Sequence, residues 1–138
     1  GEDLAFGYQF HLADSREQGI KEAGKLYEEN LKMFGPLRRV RALTDEQIVD
    51  MADPKKAPTA GLPTIENAIA AGGFLCGTPE QIIEHLKAIE ERYPGLKRVT
   101  ASHSIGSPQS MILEQLERFA IEVMPAFQGS VADPALAG

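Results

Sequence analysis

The sequence alternates between strand-like and helix-like segments, and this order restricts the possible folds more than any other feature. Over residues 4–12, large apolar residues stand at every second position, which is the period of a β-strand. The residues between them are small or polar, so the two faces of this strand differ in size. Asp14 then offers an N-cap, and apolar residues at helical spacing predict a helix over 15–34 that ends at Gly35-Pro36.

A second unit of the same kind begins with the short apolar run at 74–76, which predicts a very short strand. Thr78 is a good N-cap, Pro79 suits the first helical position, and Gln81 completes a capping box. The helix that follows is predicted to end at Pro94-Gly95. Its predicted buried side contains Ile82, Leu86, Ile89 and Tyr93.

The third unit begins with a predicted strand over 96–102, with Val99 at its centre, and a loop over 103–106. Ser107-Pro108 repeats the pattern of a cap followed by a first-turn proline. The predicted buried side of this last helix contains Ile112, Leu116, Phe119 and Val123.

Three strand-then-helix units predict parallel strands joined by right-handed crossovers. With all helices on one side, the other face of such a sheet would be uncovered, which parallel sheets hardly ever allow. A complete eight-unit barrel takes about 250 residues, so three units in 138 residues would fill the last third of one. The prediction is therefore an α/β fold made of β/α units of a (β/α)8 TIM barrel, incomplete in this chain.

Residues 1–127 are predicted to form this partial domain, and 128–138, rich in Ala, Gly and Pro, a flexible tail. Within the domain, 36–73 resembles an insertion, with N-caps of two short helices at Thr44 and Thr64. Insertions of this length often form lids or binding loops, and a plain surface excursion is the alternative.

Composition excludes several functions. The formal charge of −6 gives no positive field for nucleic acid or for an anionic membrane surface. Cys76 is the only cysteine, so no intrachain disulfide and no paired-thiol metal site is possible, which fits a reducing cytoplasm. Neither a secretory signal nor a membrane-spanning apolar run is present in the sequence, so a cytoplasmic location is predicted.

Three segments resemble motifs of luciferase-like, flavin-dependent monooxygenases, the family of bacterial luciferase. Residues 74–86 (FLCGTPEQIIEHL) resemble the family's Gly-Thr-Pro-Glu helix start near its C-terminus. Residues 119–127 (FAIEVMPAF) resemble its closing segment, and residues 8–17 resemble the strand that enters its Ala-Asp-Thr/Ser-x-Glu helix start. The three occur in the family's order and spacing.

The resemblance implies that the chain is the C-terminal part of a (β/α)8 barrel enzyme that uses reduced FMN and dioxygen to oxygenate a small organic substrate. Electrons would come from NADH or a partner flavin reductase, and the deazaflavin F420 is the alternative cofactor. Most flavin contacts of the family belong to earlier strands, so the chain alone is expected to be inactive and to need the N-terminal half of the barrel. A non-catalytic module, oligomeric or completing a partner's barrel, is the other hypothesis.

Five residues are candidate contacts to cofactor or substrate. His103 and Ser104 follow the last predicted strand, at the face where barrel enzymes place their chemistry. Gly106 and Ser107 open a helix, whose N–H groups suit an anion such as a phosphate, although ordinary capping explains them equally well. His11 is near the end of the first strand and would point into the barrel mouth, or be a plain buried histidine.

The remaining reactive residues are assigned no site. The three histidines are dispersed and none pairs with a carboxylate at metal-binding spacing, so no metal is predicted. Cys76 lacks an adjacent base and is expected to be a small buried apolar residue. His85 lies on a helix and is expected to face solvent.

Overall fold

A computed structural model describes residues 1–40 and 43–128. The predicted tail lies outside these residues except for its first position. The strands are β1 (Ala5–Leu12), β2 (Phe74–Gly77) and β3 (Arg98–Ser102). The α-helices are α1 (Arg16–Phe34), α2 (Asp45–Met51), α3 (Ile65–Ala70), α4 (Pro79–Arg92) and α5 (Gln109–Arg118). A 3-10 turn (Ala57–Thr59) precedes α3, and a π-helical turn (Phe119–Val123) and a second 3-10 turn (Met124–Phe127) follow α5.

The three strands form one parallel sheet in the order β2-β1-β3. Pairing runs from Gln9↔Phe74 to Leu12↔Gly77 between β1 and β2. Between β1 and β3 it ends at Gln9↔Ser102. Parallel pairing is confirmed, but β1 is central, whereas consecutive units of a barrel would place β2 between β1 and β3. The fold is a small α/β fold with a three-stranded parallel sheet.

Helices cover the sheet on both faces. Phe10 and Leu75 are register partners in one apolar core, which α4 completes through Ile82. Phe74 and Cys76 belong to a second core together with α1 and α3. Because successive strand residues point to opposite faces, the two cores lie on opposite sides of the sheet, which we call the α4 face and the α1 face. The expectation that all helices lie on one side is therefore wrong, and the two-sided cover meets the usual requirement of a parallel sheet.

The α4-face core also anchors the end of the described chain. Its largest fully buried side chains include Phe10 and Leu12 of β1 and Val123 of the π-helical turn. Burial of each such side chain stabilises the fold by about 1.5–3 kcal/mol. The segment after β3 is thus held against β1 by side-chain packing as well as by its covalent connection to β3.

The helix starts follow the sequence closely. Thr44, Thr64 and Thr78 are the N-caps that the sequence predicts, and each forms a capping box with the residue three positions on, which was predicted for Thr78. At α1 the prediction is one residue early, since Ser15, and not Asp14, has the extended backbone of an N-cap and accepts a first-turn N–H. Asp14 forms an ion pair with Arg118 instead.

Replacing Thr78 by Ala is expected to lower the free energy of unfolding by about 1 kcal/mol, because the backbone N–H of Gln81 loses its side-chain acceptor. Urea unfolding measures this. Ser110→Ala, at an exposed position of α5, is the control and should change stability by less than about 0.5 kcal/mol. Equal midpoints for Thr78→Ala and the parent would show that the cap contributes nothing.

Candidate functional site

One loop follows the carboxyl end of β1 and another follows the carboxyl end of β3. β1 and β3 are neighbours, yet the helices that follow them cover different faces. α1 packs on the α1 face, whereas α5 continues into the π-helical turn, whose Val123 belongs to the α4-face core. In open parallel sheets, ligands bind in the crevice at such a switch in connection. We use the name β1–β3 crevice for the two loops that follow these neighbouring strands, residues 13–15 and 103–108.

His11 lies near the end of β1 and is only 4% exposed. Its Nε2 is 2.8 Å from Oε2 of Glu22 on α1, and Nε2 of Gln18 donates to the other carboxylate oxygen at 2.8 Å. These two hydrogen bonds lower the pKa of Glu22, so the carboxylate is ionised and accepts from Nε2–H of His11. In the neutral ring, Nδ1 is then the acceptor. His11 is a buried histidine oriented by a carboxylate.

Sequence reasoning missed Glu22 and Gln18. They stand four residues apart in the first two turns of α1, on the same side of the helix. A helix that directly follows a parallel strand begins at that strand's carboxyl end, where His11 lies. This spacing is the signal in the sequence that could have identified them. The apolar stripe of α1 does not reveal it.

His103 directly follows β3 and packs its ring against Phe10, with centroids 4.6 Å apart. Its Nε2 is buried and has no hydrogen-bond partner among the described residues. Burial, and to a smaller extent the charge of His11, lowers the pKa of His103. The ring is therefore neutral at neutral pH, and its buried Nε2 has an unused hydrogen-bonding capacity.

The turn after His103 is tied to β1. The N–H and Oγ of Ser107 donate to the carbonyl oxygen of Ser104 at 3.2 and 2.7 Å. Oγ of the buried Ser104 donates to Oε1 of Gln9 at 3.3 Å. Gly106 has φ +91°, which side chains rarely adopt, so the turn needs glycine there. Four of the five candidates, His103, Ser104, Gly106 and Ser107, thus form one loop of the crevice.

The start of α5 differs from the prediction. Pro108 occupies the N-cap position, the helix begins at Gln109, and no side chain caps it. Ser107 does not cap because its hydroxyl is used within the turn. The first N–H groups of α5 are therefore without a side-chain acceptor, which is the condition in which a helix N-terminus receives an anion.

Gln115 connects α5 to β1 and was not identified from the sequence. Its Oε1 accepts from the N–H of Leu12 at 2.6 Å, and its Nε2 donates to the C=O of Leu12 at 2.8 Å. β3 pairs with β1 only as far as Gln9, so Gln115 supplies both partners where the strand has ended. Leu116, predicted to be buried, is 47% exposed instead.

An ion pair also joins the loop after β1 to α5. A guanidinium nitrogen of Arg118 is 3.4 Å from Oδ1 of Asp14, and Nε of Arg118 is 2.9 Å from Glu122. The carboxylate of Asp14 is mostly exposed, so this contact contributes little free energy. The contact between Arg118 and Asp14 holds the loop after β1 next to α5.

Two residues outside the crevice were also assigned from the sequence. Cys76 is buried as predicted, and burial raises the pKa of its thiol to about 11. The expectation for His85 is wrong, because its ring is half-buried against Tyr8, with centroids 5.7 Å apart.

The insertion over 36–73 and α1 together line a cleft of about 930 Å³, with Tyr27 of α1 and Pro58 of the insertion among its lining residues. Across the described ranges, no group of His, Cys, Asp and Glu side chains could hold a metal ion. None of the helices described is long and apolar enough to cross a membrane.

Comparison with protein-family models, with curated proteins and with solved structures finds no match to the chain. The functional interpretation therefore rests on the residues and contacts of the chain itself.

Proposed function

We propose that the chain is the C-terminal part of a cytoplasmic, FMN-dependent, luciferase-like monooxygenase, and that the β1–β3 crevice contributes to its flavin and substrate site. The observation that carries the proposal is the buried Nε2 of His103, which has no partner among the described residues and lies at the carboxyl ends of the strands. Burying a polar atom without a partner costs free energy, and a bound ligand is one group that can supply the partner. Nε2 of His85 and Oδ1 of Asn30 are in the same condition, so the position of His103 at the carboxyl ends of the strands is what distinguishes it.

The second support is the turn next to His103. The N-terminus of α5 has no side-chain cap, and Gly106 carries no side chain that would keep a ligand away from the backbone. Together these features suit the phosphate of FMN, or another anion. Ser107 can reorient its hydroxyl toward the same group, since it now donates only within the turn.

In this role the chain's own groups position the reactants and move a proton. Neutral His103 can donate to, or accept from, a bound oxygen atom. His11 stays oriented by Glu22 and is not free to turn toward a ligand. Flavin that is reduced by NADH, or delivered in reduced form by a reductase, would provide the electrons. One atom of dioxygen would then enter the substrate, and the other would leave as water. F420 is the alternative cofactor.

The proposal requires the remaining strands of a (β/α)8 barrel. In that barrel β2 would lie between β1 and β3, so the order β2-β1-β3 must rearrange when the other strands are present. The pairing of β2 with β3 in the complete protein is therefore part of the proposal.

His103→Ala in the complete protein is expected to lower kcat by about 10²–10⁴-fold, the usual contribution of a positioned acid or base. Stability should change much less, because His103 lies at the rim of the core. His85→Ala removes another half-buried histidine ring outside the crevice and should leave turnover per folded molecule unchanged. Equal turnover in His103→Ala and the parent would refute a role in catalysis.

A second candidate function is a non-catalytic α/β module that works as an oligomer or completes a partner's barrel. The observation that favours it is a set of exposed apolar side chains on α5 and the turns after it. These are Leu113, Leu116, Ile121 and Met124. A stable assembly that never binds flavin would support this candidate over the enzyme.

A further inference from the structure

Gly7, in the interior of the central strand, has no structural reason to be glycine. Its backbone lies outside the positive-φ region that favours glycine. Pairing with β3 runs without interruption from Ala5 to Gln9, so there is no bulge. A Cβ built at Gly7 would meet no atom within 4 Å. Glycine weakens a strand interior and commonly marks a bulge, a bend or the close approach of another group, and here only an external group remains.

A slot of about 490 Å³ opens above Gly7 on the α1 face. Its floor is the bare backbone at Gly7 together with small residues of the α3 segment, Ala68 and Ala71. Its wall is formed by Tyr27 and Phe74, whose rings meet edge to face with centroids 5.7 Å apart. A strand backbone without a side chain, next to aromatic side chains, suits a planar ring. The volume of the slot is in the range of small-molecule sites.

Two side-chain amides line the slot and can still donate. Oε1 of Gln9 accepts from Ser104, which leaves its NH2 group as a donor. Oδ1 of Asn67 accepts from the N–H of Thr64, which likewise leaves an NH2 group. None of the described residues that line the slot is charged. The slot therefore offers N–H donors without a counter-charge for an ionised ligand.

We propose that this slot binds an uncharged, planar heteroaromatic ring whose edge carries carbonyl or ring-nitrogen acceptors. The ring would stack on the backbone at Gly7 beside Tyr27, and its acceptors would bind the amides of Gln9 and Asn67. The residues that line this site do not include the α5 N-terminus, and the site does not depend on the proposed function. It would operate equally in an enzyme or in a binding module.

The test is a titration of the protein with quinazolin-4-one, a neutral bicyclic ring with carbonyl and ring-nitrogen acceptors, followed by NMR of the backbone amides. We expect saturable shifts at Gly7, Gln9 and Ser102, with a dissociation constant of about 1 mM or lower for a ring of this size. Benzoate, planar but charged, should bind at least about tenfold more weakly because no cation lines the slot.

Gly7→Val places a side chain in the slot and should weaken quinazolin-4-one binding at least about tenfold while raising the urea midpoint, because valine favours a strand. Ala5→Val, on the same strand and face but not lining the slot, is the matched control and should bind as the parent does.

If Gly7→Val does not fold, Gly7→Ala is measured instead and should still raise the midpoint. A midpoint lowered by Gly7→Ala overturns the proposal, as does the absence of saturable shifts. Shifts at these amides that depend on protein concentration without the probe would show that a second copy occupies the slot, and would also overturn it.

Discussion

Replacing Gln115 by Leu is expected to lower the free energy of unfolding by about 2–4 kcal/mol, because the buried N–H and C=O of Leu12 would each lose a partner. Leucine has a similar size and helix propensity, so the change mainly removes the two hydrogen bonds. For a domain of ordinary stability, about 5–15 kcal/mol, this is a large fraction. Urea unfolding followed by circular dichroism measures it.

Gln109→Leu is the matched control, since it makes the same exchange at an exposed position of the same helix. It should change stability by no more than about 0.5 kcal/mol. Gln115→Glu keeps an acceptor for the N–H of Leu12 but has no donor for its C=O when ionised, so we expect a loss here too. A Gln115→Leu variant as stable as the parent would mean that water or another group satisfies Leu12.

The isolated chain is expected to self-associate, with a mass at micromolar concentration of at least twice 15.0 kDa by sedimentation equilibrium. An uncovered sheet face would favour self-association, but helices cover both faces of this sheet. The apolar surface lies instead on α5 and the turns after it, where Ile121 is 66% exposed. A second copy could cover these residues.

The double variant Leu113→Glu/Leu116→Glu should return the chain to a monomer, because two carboxylates would be desolvated at the interface. The matched control is Leu37→Glu/Val49→Glu, which adds the same charge at exposed apolar positions in the insertion. The control should remain associated. A parent chain that is monomeric at micromolar concentration would contradict the expectation.

The elements that could be predicted from the sequence are those set by local chemistry. Thr44, Thr64 and Thr78 form capping boxes because the side chain and the backbone partners lie within one helical turn. The error at Asp14 is of the same local kind, since Ser15 offers an equivalent oxygen one residue later. Parallel pairing also followed, because helices separate the strands along the chain.

Strand order and the polar contacts of the crevice could not be predicted, because they depend on residues far apart in sequence. Gln115 and Leu12 are 103 residues apart, and a helical pattern gives no reason to bury an amide beside exposed Leu116. Likewise, alternation in β1 placed His11 on a face but could not identify Glu22 as its partner. The position of His103 directly after β3 could be predicted, because it depends only on where the strand ends.

The flavin content of the complete protein tests the central proposal most directly. The proposal requires a longer polypeptide that contains this segment. This polypeptide would be purified, its absorbance spectrum recorded, and its oxygen uptake measured with NADH and a flavin reductase. The proposal predicts one bound FMN per chain after saturation, flavin-dependent oxygen uptake, and loss of that uptake in His103→Ala. A folded, complete protein that binds neither FMN nor F420 and consumes no oxygen would contradict it.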